Sequence, residues 1–252
     1  MDNRQAVEHF HLVFLRHFAS VISPGTICLK GGVNLRLYHN SARLSEDIDF
    51  DARVVLVDTL KKNVKKVLDS RPLQTELRAD GITLSEIKPS KQTETSQRWK
   101  FHVLHEGNEL PTRLEFSRRN DDAFENCASE LPSPGLLAEH KVRGFVFNHY
   151  TPPAIYWQKI HALATRREVQ ARDVFDLHHL SRYAAAARSA PVDEVKLALA
   201  QLAMISHEMY LDQVIPFLPT DLASHYETPE QWKAISEQVF NDLSAALPPS
   251  VP

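Results

Sequence analysis

Cysteine is nearly absent from this 252-residue chain, which contains only Cys28 and Cys127. Two cysteines are too few for a disulfide framework, and no Cys-x-x-Cys spacing indicates a zinc or redox site. Long apolar runs are also absent, since no stretch reaches the length of a membrane span and the amino end has no signal-peptide pattern. We therefore expect a cytoplasmic protein in a reducing compartment, with no membrane association.

The chain also lacks an excess of charge of one sign. It has 29 Lys and Arg against 32 Asp and Glu, which gives a net charge of −3 at pH 7. This balance excludes a generic polyanion-binding protein, so any nucleic-acid contact would need a local basic patch. The 13 histidines are scattered and are not spaced to share a metal ion. The length suffices for one large domain or two small ones.

Glycine is scarce, yet three of the seven glycines, Gly25, Gly31 and Gly32, lie within eight positions. Residues 27–29 before the glycine pair read as a strand, and the residues after it as a short amphipathic helix. A glycine pair at such a junction lets successive backbone N–H groups converge on one point, which suits an anionic phosphate. A diglycine by itself is more often a simple turn.

Aspartate alternates with apolar residues in the segment that follows. In a strand, Ile48 and Phe50 would face the core while Asp47, Asp49 and Asp51 project from the opposite face. Two carboxylates one strand repeat apart can bind Mg²⁺ or Mn²⁺, which proteins usually hold with a few carboxylates plus substrate phosphates. An Asp-x-Asp strand alone is more often a solvated face. The phosphate cradle and this strand together indicate metal-assisted chemistry at phosphorus.

The two features in this order resemble the signature of the nucleotidyltransferase superfamily that includes DNA polymerase beta. More narrowly, Lys30-Gly31-Gly32 followed by Arg43-Leu44-Ser45-Glu46-Asp47-Ile48-Asp49-Phe50 resembles the AbiEii/AbiGii toxin family, which includes the MenT toxins. The resemblance implies an α+β fold, with a polymerase-beta-like core around a small mixed sheet and a mostly helical carboxyl-terminal region. It also implies a nucleoside triphosphate bound over the glycine pair.

Periodicity predicts the rest of the first half. Apolar spacing of about 3.6 residues predicts helices over residues 3–22 and 58–69. The second helix carries Lys61, Lys62, Lys65 and Lys66 on its polar side, which we interpret as a solvated face, with an RNA contact as the alternative. A period of two predicts four strands at Leu73–Ala79, Ile82–Ile87, Trp99–His105 and Arg113–Ser117.

The last of these strands contains Glu115 between two apolar residues. An isolated glutamate on a strand is normally a surface residue. Polymerase-beta-like enzymes take a third active-site carboxylate from a later strand, so the resemblance implies that Glu115 helps to bind metal and to activate the acceptor hydroxyl.

A second informative stretch follows a Pro-rich segment near residue 131, where we place a domain boundary. Its residue pattern alone predicts a helical hairpin with surface ion pairs. However, Lys159-Ile160-His161-Ala162-Leu163, a basic loop and Arg172-Asp173-Val174-Phe175-Asp176-Leu177 resemble the family's second signature. The resemblance implies that Lys159 contacts the nucleotide phosphates and that Asp173 completes the active site, so both should border one cleft with Asp49.

We therefore divide the chain into a nucleotidyltransferase core, 1–130, and a mostly helical domain, 131–252, that contributes Lys159 and Asp173. Helices are expected over residues 192–210 and 228–247. One departure from the family concerns nucleotide binding. Many relatives have Ser or Thr after the glycine pair, whereas this chain has Val33 followed by Asn34, so Asn34 or the backbone would have to contact the phosphate.

The predicted function is metal-dependent transfer of a nucleotide from a triphosphate to an acceptor. The resemblance implies that the acceptor is RNA, the 3′ end of tRNA, and that the protein is a toxin with a cognate antitoxin protein. Two alternatives stay open. One is a small-molecule nucleotidyltransferase of the antibiotic-modifying type, and the other is a non-catalytic nucleotide-binding partner protein.

Overall fold

The computed structural model describes residues 1–118 and 126–248, and the chain forms two compact units. The first unit consists of Met1–Asn40 and Leu44–Tyr150. The second consists of the tripeptide Ser41–Arg43 and the chain from Thr151 onward. In the described part of the chain, no helix is both long and apolar enough to cross a membrane.

The first unit is a mixed sheet with helices. Its strands are β1 (Ile27–Lys30), β2 (Asp47–Ala52), β3 (Ile82–Leu84), β4 (Lys88–Gln92), β5 (Ser96–His105), β6 (Asn108–Arg118), β7 (Cys127–Glu130) and β8 (Phe147–Tyr150). Its helices are α1 (Asn3–Ala19), α2 (Gly31–His39), α3 (Val57–Leu68), α4 (Arg71–Ala79) and α5 (Pro134–Glu139). This architecture confirms the predicted fold class.

The sheet has the strand order β3-β5-β6-β2-β1-β8-β7, with β4 paired to the other end of β5. The pairs β2–β6 and β1–β8 are parallel, and the others are antiparallel. Because paired residues point to the same face, the register sets Asp49 beside Glu115 and Asp47 beside Arg113 on one face. We call it the carboxylate face.

The opposite face of the sheet forms the hydrophobic core. Ile48 and Phe50 of β2 are fully buried, as the alternation predicted. Phe50 stacks on Phe116 of β6 with ring centroids 4.5 Å apart, and Phe18 of α1 packs against both rings. Burying each such side chain contributes about 1.5–3 kcal/mol. This packing holds β2 flat against the core, so its aspartates can only project from the carboxylate face.

One of the predicted secondary-structure elements after β2 is confirmed, and the next one is wrong. The helix predicted over residues 58–69 is confirmed as α3. The strand predicted over Leu73–Ala79 is wrong, because this segment is helix α4. The Ser70 side chain accepts from the Leu73 N–H, and Leu73 and Leu77 are buried one helical turn apart. The two buried leucines, four residues apart, thus lie on one face of a helix, and this helical spacing decides the structure over the apparent alternation of polar and apolar residues.

The two cysteines form a disulfide between β1 and β7, across a sequence separation of 99 residues. The sequence analysis expected no disulfide framework and a reducing compartment, and it did not predict this single bond. A disulfide is uncommon in cytosolic proteins, so the cytoplasmic localisation stays a prediction.

The second unit is helical. It contains α6 (Pro152–Thr165), α7 (Ala171–His179), α8 (Val192–Leu202), α9 (His207–Gln213), α10 (Thr220–Tyr226) and α11 (Pro229–Ser244), with 3-10 segments at Ser181–Ser189 and Ile215–Phe217. The Thr228 side chain accepts from the Gln231 N–H and starts α11. Residues 131–150 belong to the first unit, because β8 pairs with β1. The functional division into 1–130 and 131–252 stays a prediction.

Candidate active site

The glycine pair forms the first turn of α2 instead of a separate turn before it. Lys30 precedes the helix in an extended conformation, and Gly31 has a φ of +70°, which favours glycine. A Cβ added at Gly31 would lie 3.0 Å from the Asp49 Oδ2 atom. The first N–H groups of a helix have no partner within the helix and attract anions. Gly31 thus brings an anion-binding helix start against an aspartate.

The next two residues of α2 face the interior. The Val33 side chain is 2% exposed and belongs to the hydrophobic core. Asn34 is fully buried, and its Nδ2 donates to the carbonyl oxygen of Tyr150 at 3.0 Å. Its Oδ1 is buried without a hydrogen-bond partner and is an acceptor, so it cannot donate to a phosphate. Four residues were predicted to bind nucleotide here. The side chains of Val33 and Asn34 are buried, so the backbone N–H groups of Gly31 and Gly32 are the groups that suit a phosphate.

Two of the three predicted metal ligands are held by arginines. The Arg113 Nη2 lies 2.6 Å from the Asp47 Oδ2. Arg98 donates through Nε and Nη2 to the two oxygens of Glu115, at 3.0 and 2.8 Å, and the Arg113 Nε lies 3.5 Å from Glu115. Burial alone would raise the pKa of the Glu115 carboxyl, but Arg98 and Arg113 outweigh it and hold the pKa below its ordinary value.

Asp51, the third aspartate of the strand, has a different environment. It is 3% exposed, and its oxygens accept from Lys30 Nζ at 2.6 Å and from the Tyr150 hydroxyl at 2.8 Å. Such a fully used, buried carboxylate fixes β2 against β1 and β8. Asp51 therefore shares the face of Asp47 and Asp49 but, unlike them, is buried.

The donor chemistry suits a divalent cation, since Asp47 and Asp49 offer hard carboxylate oxygens beside an anion-binding helix start. A site completed by substrate phosphates fits these two residues. Among residues 1–118 and 126–248, no three acidic, histidine or cysteine side chains are grouped closely enough to hold an ion by themselves. Glu115 lies next to Asp49 in the register, but it could join such a site only after Arg98 and Arg113 release it.

The second unit contains a buried ionic cluster around Lys159. The Lys159 Nζ lies 2.8 Å from the Asp173 Oδ1 and 2.7 Å from the Asp176 Oδ2. Both aspartates are fully buried, and Lys159 is 8% exposed. Arg43 donates through Nε and Nη2 to the two oxygens of Asp176, at 3.0 and 2.8 Å. The Arg166 Nε lies 3.0 Å from the Asp173 Oδ2.

Charges in this cluster oppose the cost of burial. Burial raises the pKa of the Asp176 carboxyl. The charges of Arg43 and Lys159, and the hydrogen bonds that they donate, lower this pKa by more than burial raises it. The net effect is a pKa below the ordinary value. Three cations face two carboxylates, so the cluster carries one net positive charge.

A comparison with protein families identifies the family of this chain. The family described as "Nucleotidyl transferase AbiEii toxin, Type IV TA system" matches residues 13–251. The chain belongs to this family. It is a nucleotidyltransferase of a type IV toxin–antitoxin family, as the two sequence signatures predicted.

Two solved structures have a similar fold. MenT4, a nucleotidyltransferase toxin from Mycobacterium tuberculosis H37Rv, is 18% identical with a TM-score of 0.66, and the match covers 96% of this chain and 84% of that one. The protein JHP933 from Helicobacter pylori is 21% identical with a TM-score of 0.55, over 96% of this chain and 94% of that one. No curated protein sequence matches the chain.

Sequence reasoning found some of the clustered residues and missed others. It selected Lys159 and Asp173, which the structure brings into direct contact within the second unit. It missed Arg43 and Asp176 as partners, although the first signature contained Arg43. The one-turn spacing of Asp173 and Asp176 was the available signal, because it places both carboxylates on one side of α7. Whether this AbiEii-family cluster and the Asp47–Asp49 pair act on one triphosphate stays a prediction.

Proposed function

We propose that this protein transfers a nucleotide from a nucleoside triphosphate to RNA, at the 3′ end of tRNA, in a metal-dependent reaction. The single observation that carries the proposal is the meeting of α2 and β2 at Gly31, where the helix start and Asp49 are in contact range. A triphosphate on the first-turn N–H groups of Gly31 and Gly32 would lie alongside the carboxylate that its counterion needs.

The residues of the first unit would divide the work as follows. Asp47 and Asp49 would hold Mg²⁺ or Mn²⁺ together with the bound triphosphate. When bound, the metal supplies positive charge to the attacking and leaving oxygens. Once Arg98 and Arg113 release it, Glu115, as the third carboxylate, would accept the proton of the acceptor hydroxyl, whose oxygen attacks the α-phosphorus as pyrophosphate leaves. Such chemistry depends on positioning and charge stabilisation, so no nucleophilic side chain is required.

Lys159 and Asp173 keep the roles that the family resemblance implies. A lysine ammonium has three donors, and the Lys159 Nζ directs two of them at Asp173 and Asp176. The third is left for a phosphate oxygen, while the aspartates fix the ammonium in place. Asp173 thereby completes the active site by orienting Lys159.

The proposal also includes a cytoplasmic toxin held in check by a cognate antitoxin protein. The family description, which names a type IV toxin–antitoxin system, supports this part. The support for an antitoxin partner is this family membership and not a binding surface on the chain.

The test is incubation with each α-labelled triphosphate, Mg²⁺ and total tRNA. We expect label in tRNA, and we expect Asp49→Asn to reduce incorporation about 100-fold, the equivalent of about 2.7 kcal/mol of transition-state stabilisation. The matched control is Asp58→Asn, the same change at an exposed aspartate of α3. Folding of both variants is checked by circular dichroism. Wild-type incorporation by a folded Asp49→Asn variant would show that the Asp-x-Asp assignment is wrong.

A further inference from the structure

The carboxylate face continues into a row of cations. In the register of β4, β5 and β6, Lys88 is opposite Lys100, and Lys100 is opposite Arg113. Arg113 in turn is opposite Asp47 of β2. On the neighbouring row, Lys91 is opposite Arg98. The chain as a whole is acidic, with a net charge of −3, so this is a local concentration of positive charge.

The three lysines of these two rows are available to a ligand. Lys88, Lys91 and Lys100 are exposed, whereas Arg98 and Arg113 are bound to carboxylates. Lys88 has one weak partner, since its Nζ lies 3.4 Å from Glu86 with both side chains at least 70% exposed. Lys91 and Lys100 have no ion pair among the residues that the structure describes.

This arrangement costs stability in the absence of a ligand. Like charges directly opposite each other on adjacent strands are destabilising, and Lys88 and Lys100 form such a pair. A bound polyanion would remove this repulsion. Because side chains recur about every 6.8 Å along one face of a strand and about 4.8 Å across strands, the lysines offer closely spaced contacts to a chain of phosphates.

A recess of about 420 Å³ adjoins the row, and we call it the Asp47 recess. This volume is in the range of small-ligand sites. The cations Lys88, Lys100 and Arg113 line the recess together with Asp47, a predicted catalytic residue. Glu46 and Glu86 also line it and would repel a phosphate from part of its rim.

We infer that Lys88, Lys91 and Lys100 bind the phosphate backbone of the acceptor RNA, and that the 3′ end of the strand enters the Asp47 recess. This inference rests on the proposed function for the identity of the strand as the acceptor. The RNA runs over β4 and then β5 toward the carboxylate pair on β2, so its terminal hydroxyl arrives beside Asp47. The phosphate contacts position the strand and carry no sequence preference of their own.

The other lysine-rich surface of the first unit provides a matched control. Lys61, Lys62 and Lys66 are exposed on α3. This helix packs against the core face of the sheet, where the Gln97 side chain donates to the Val57 carbonyl oxygen at 3.1 Å. The α3 lysines therefore lie on the opposite side of the sheet from the Asp47 recess.

The experiment compares two triple variants by fluorescence anisotropy with a short labelled single-stranded RNA. Lys88→Gln/Lys91→Gln/Lys100→Gln and Lys61→Gln/Lys62→Gln/Lys66→Gln each remove three positive charges and change the net charge from −3 to −6. Each phosphate contact on a single strand contributes about −0.7 to the slope of log K against log salt concentration. We expect the slope of the first variant to be shallower by about 2 and that of the second to match the wild type. Equal slopes for the two variants, or a wild-type protein that does not bind RNA, would overturn the inference.

Transfer of label to tRNA separates this inference from the proposed function. If the wild type labels tRNA while the Lys88/Lys91/Lys100 variant binds RNA like the control, the inference is wrong and the proposed function stands. If RNA binding depends on these lysines but no triphosphate labels tRNA, the surface stands and the proposed function fails. If the inference is correct, the variant also needs a higher tRNA concentration than the control to reach half its maximal transfer rate.

Discussion

Arg43 offers a sharp test of the second unit, because it neutralises a carboxylate that water does not reach. Arg43 is 4% exposed and Asp176 fully buried, and two hydrogen bonds of 3.0 and 2.8 Å join them. Arg43→Met keeps most of the side-chain length but removes the charge and both donors. Asp176 would then stay buried with Lys159 as its remaining cation.

The size of the effect follows from this geometry. Removing one partner of a buried ion pair costs about 3–5 kcal/mol, because the remaining charge is left uncompensated. Lys159, at 2.7 Å from the Asp176 Oδ2, still compensates part of that charge. We therefore expect a loss near the lower end, about 3 kcal/mol in the free energy of unfolding. Arg43→Met combined with Asp176→Leu should recover much of it, because no buried charge then lacks a partner.

Urea unfolding followed by circular dichroism measures this loss, with Arg166→Met as the matched control. The Arg166 side chain is 39% exposed, so water screens its charge, and its partner Asp173 keeps Lys159 at 2.8 Å; the same substitution there should therefore cost only about 1 kcal/mol. Because the folded-state pKa of Asp176 is lowered, the contribution of the pair is present above pH ~4 and is lost as the pH falls toward the folded-state pKa. Equal losses for the two variants at pH 7 would refute the reasoning.

Two further predictions concern the first unit. Val33→Ser should lower the stability of the protein by about 1–3 kcal/mol and leave triphosphate affinity unchanged, because Val33 is packed in the core; calorimetric titration that showed a tighter triphosphate complex would contradict this. Arg113→Gln should tighten Mn²⁺ binding about two- to five-fold, because it removes one ion pair of Asp47, whose two side chains are 31% and 29% exposed and which contributes about 0.5–1 kcal/mol. Electron paramagnetic resonance of free Mn²⁺ measures the affinity, and weaker binding by the variant would argue against Asp47 as a ligand.

Local patterns predicted the parts of the fold that local forces determine. The alternation from Asp47 to Asp51 predicted β2 and its two faces, because a strand has a period of two and one face must enter the core. The same criterion failed for Leu73–Ala79, where a short segment satisfies both periods. Ser70 and the following proline were the better signal, since both are typical of a helix start.

Contacts between distant parts of the chain could not be predicted in this way. Arg43 and Asp176 are 133 residues apart, and Cys28 and Cys127 are 99 residues apart. No periodicity connects such partners, because the pairing depends on how complete elements pack. The core position of Val33 was missed for a related reason. The family pattern predicted that the residue after the glycine pair contacts a phosphate. In this chain that residue is Val33, and because the first turn of α2 is buried on this side, its side chain contacts the hydrophobic core.

The tripeptide Ser41–Arg43 has a consequence for any attempt to dissect this protein into fragments. It is part of the connection between α2 and β2, yet it belongs to the helical unit. A fragment that starts at Thr151 would include all of that unit's helices and still lack the guanidinium group that neutralises Asp176. Complementation with a peptide containing Arg43 would then be needed to restore it. Truncation at either Thr151 or the predicted boundary near residue 131 therefore removes the arginine partner of Asp176 from the helical unit.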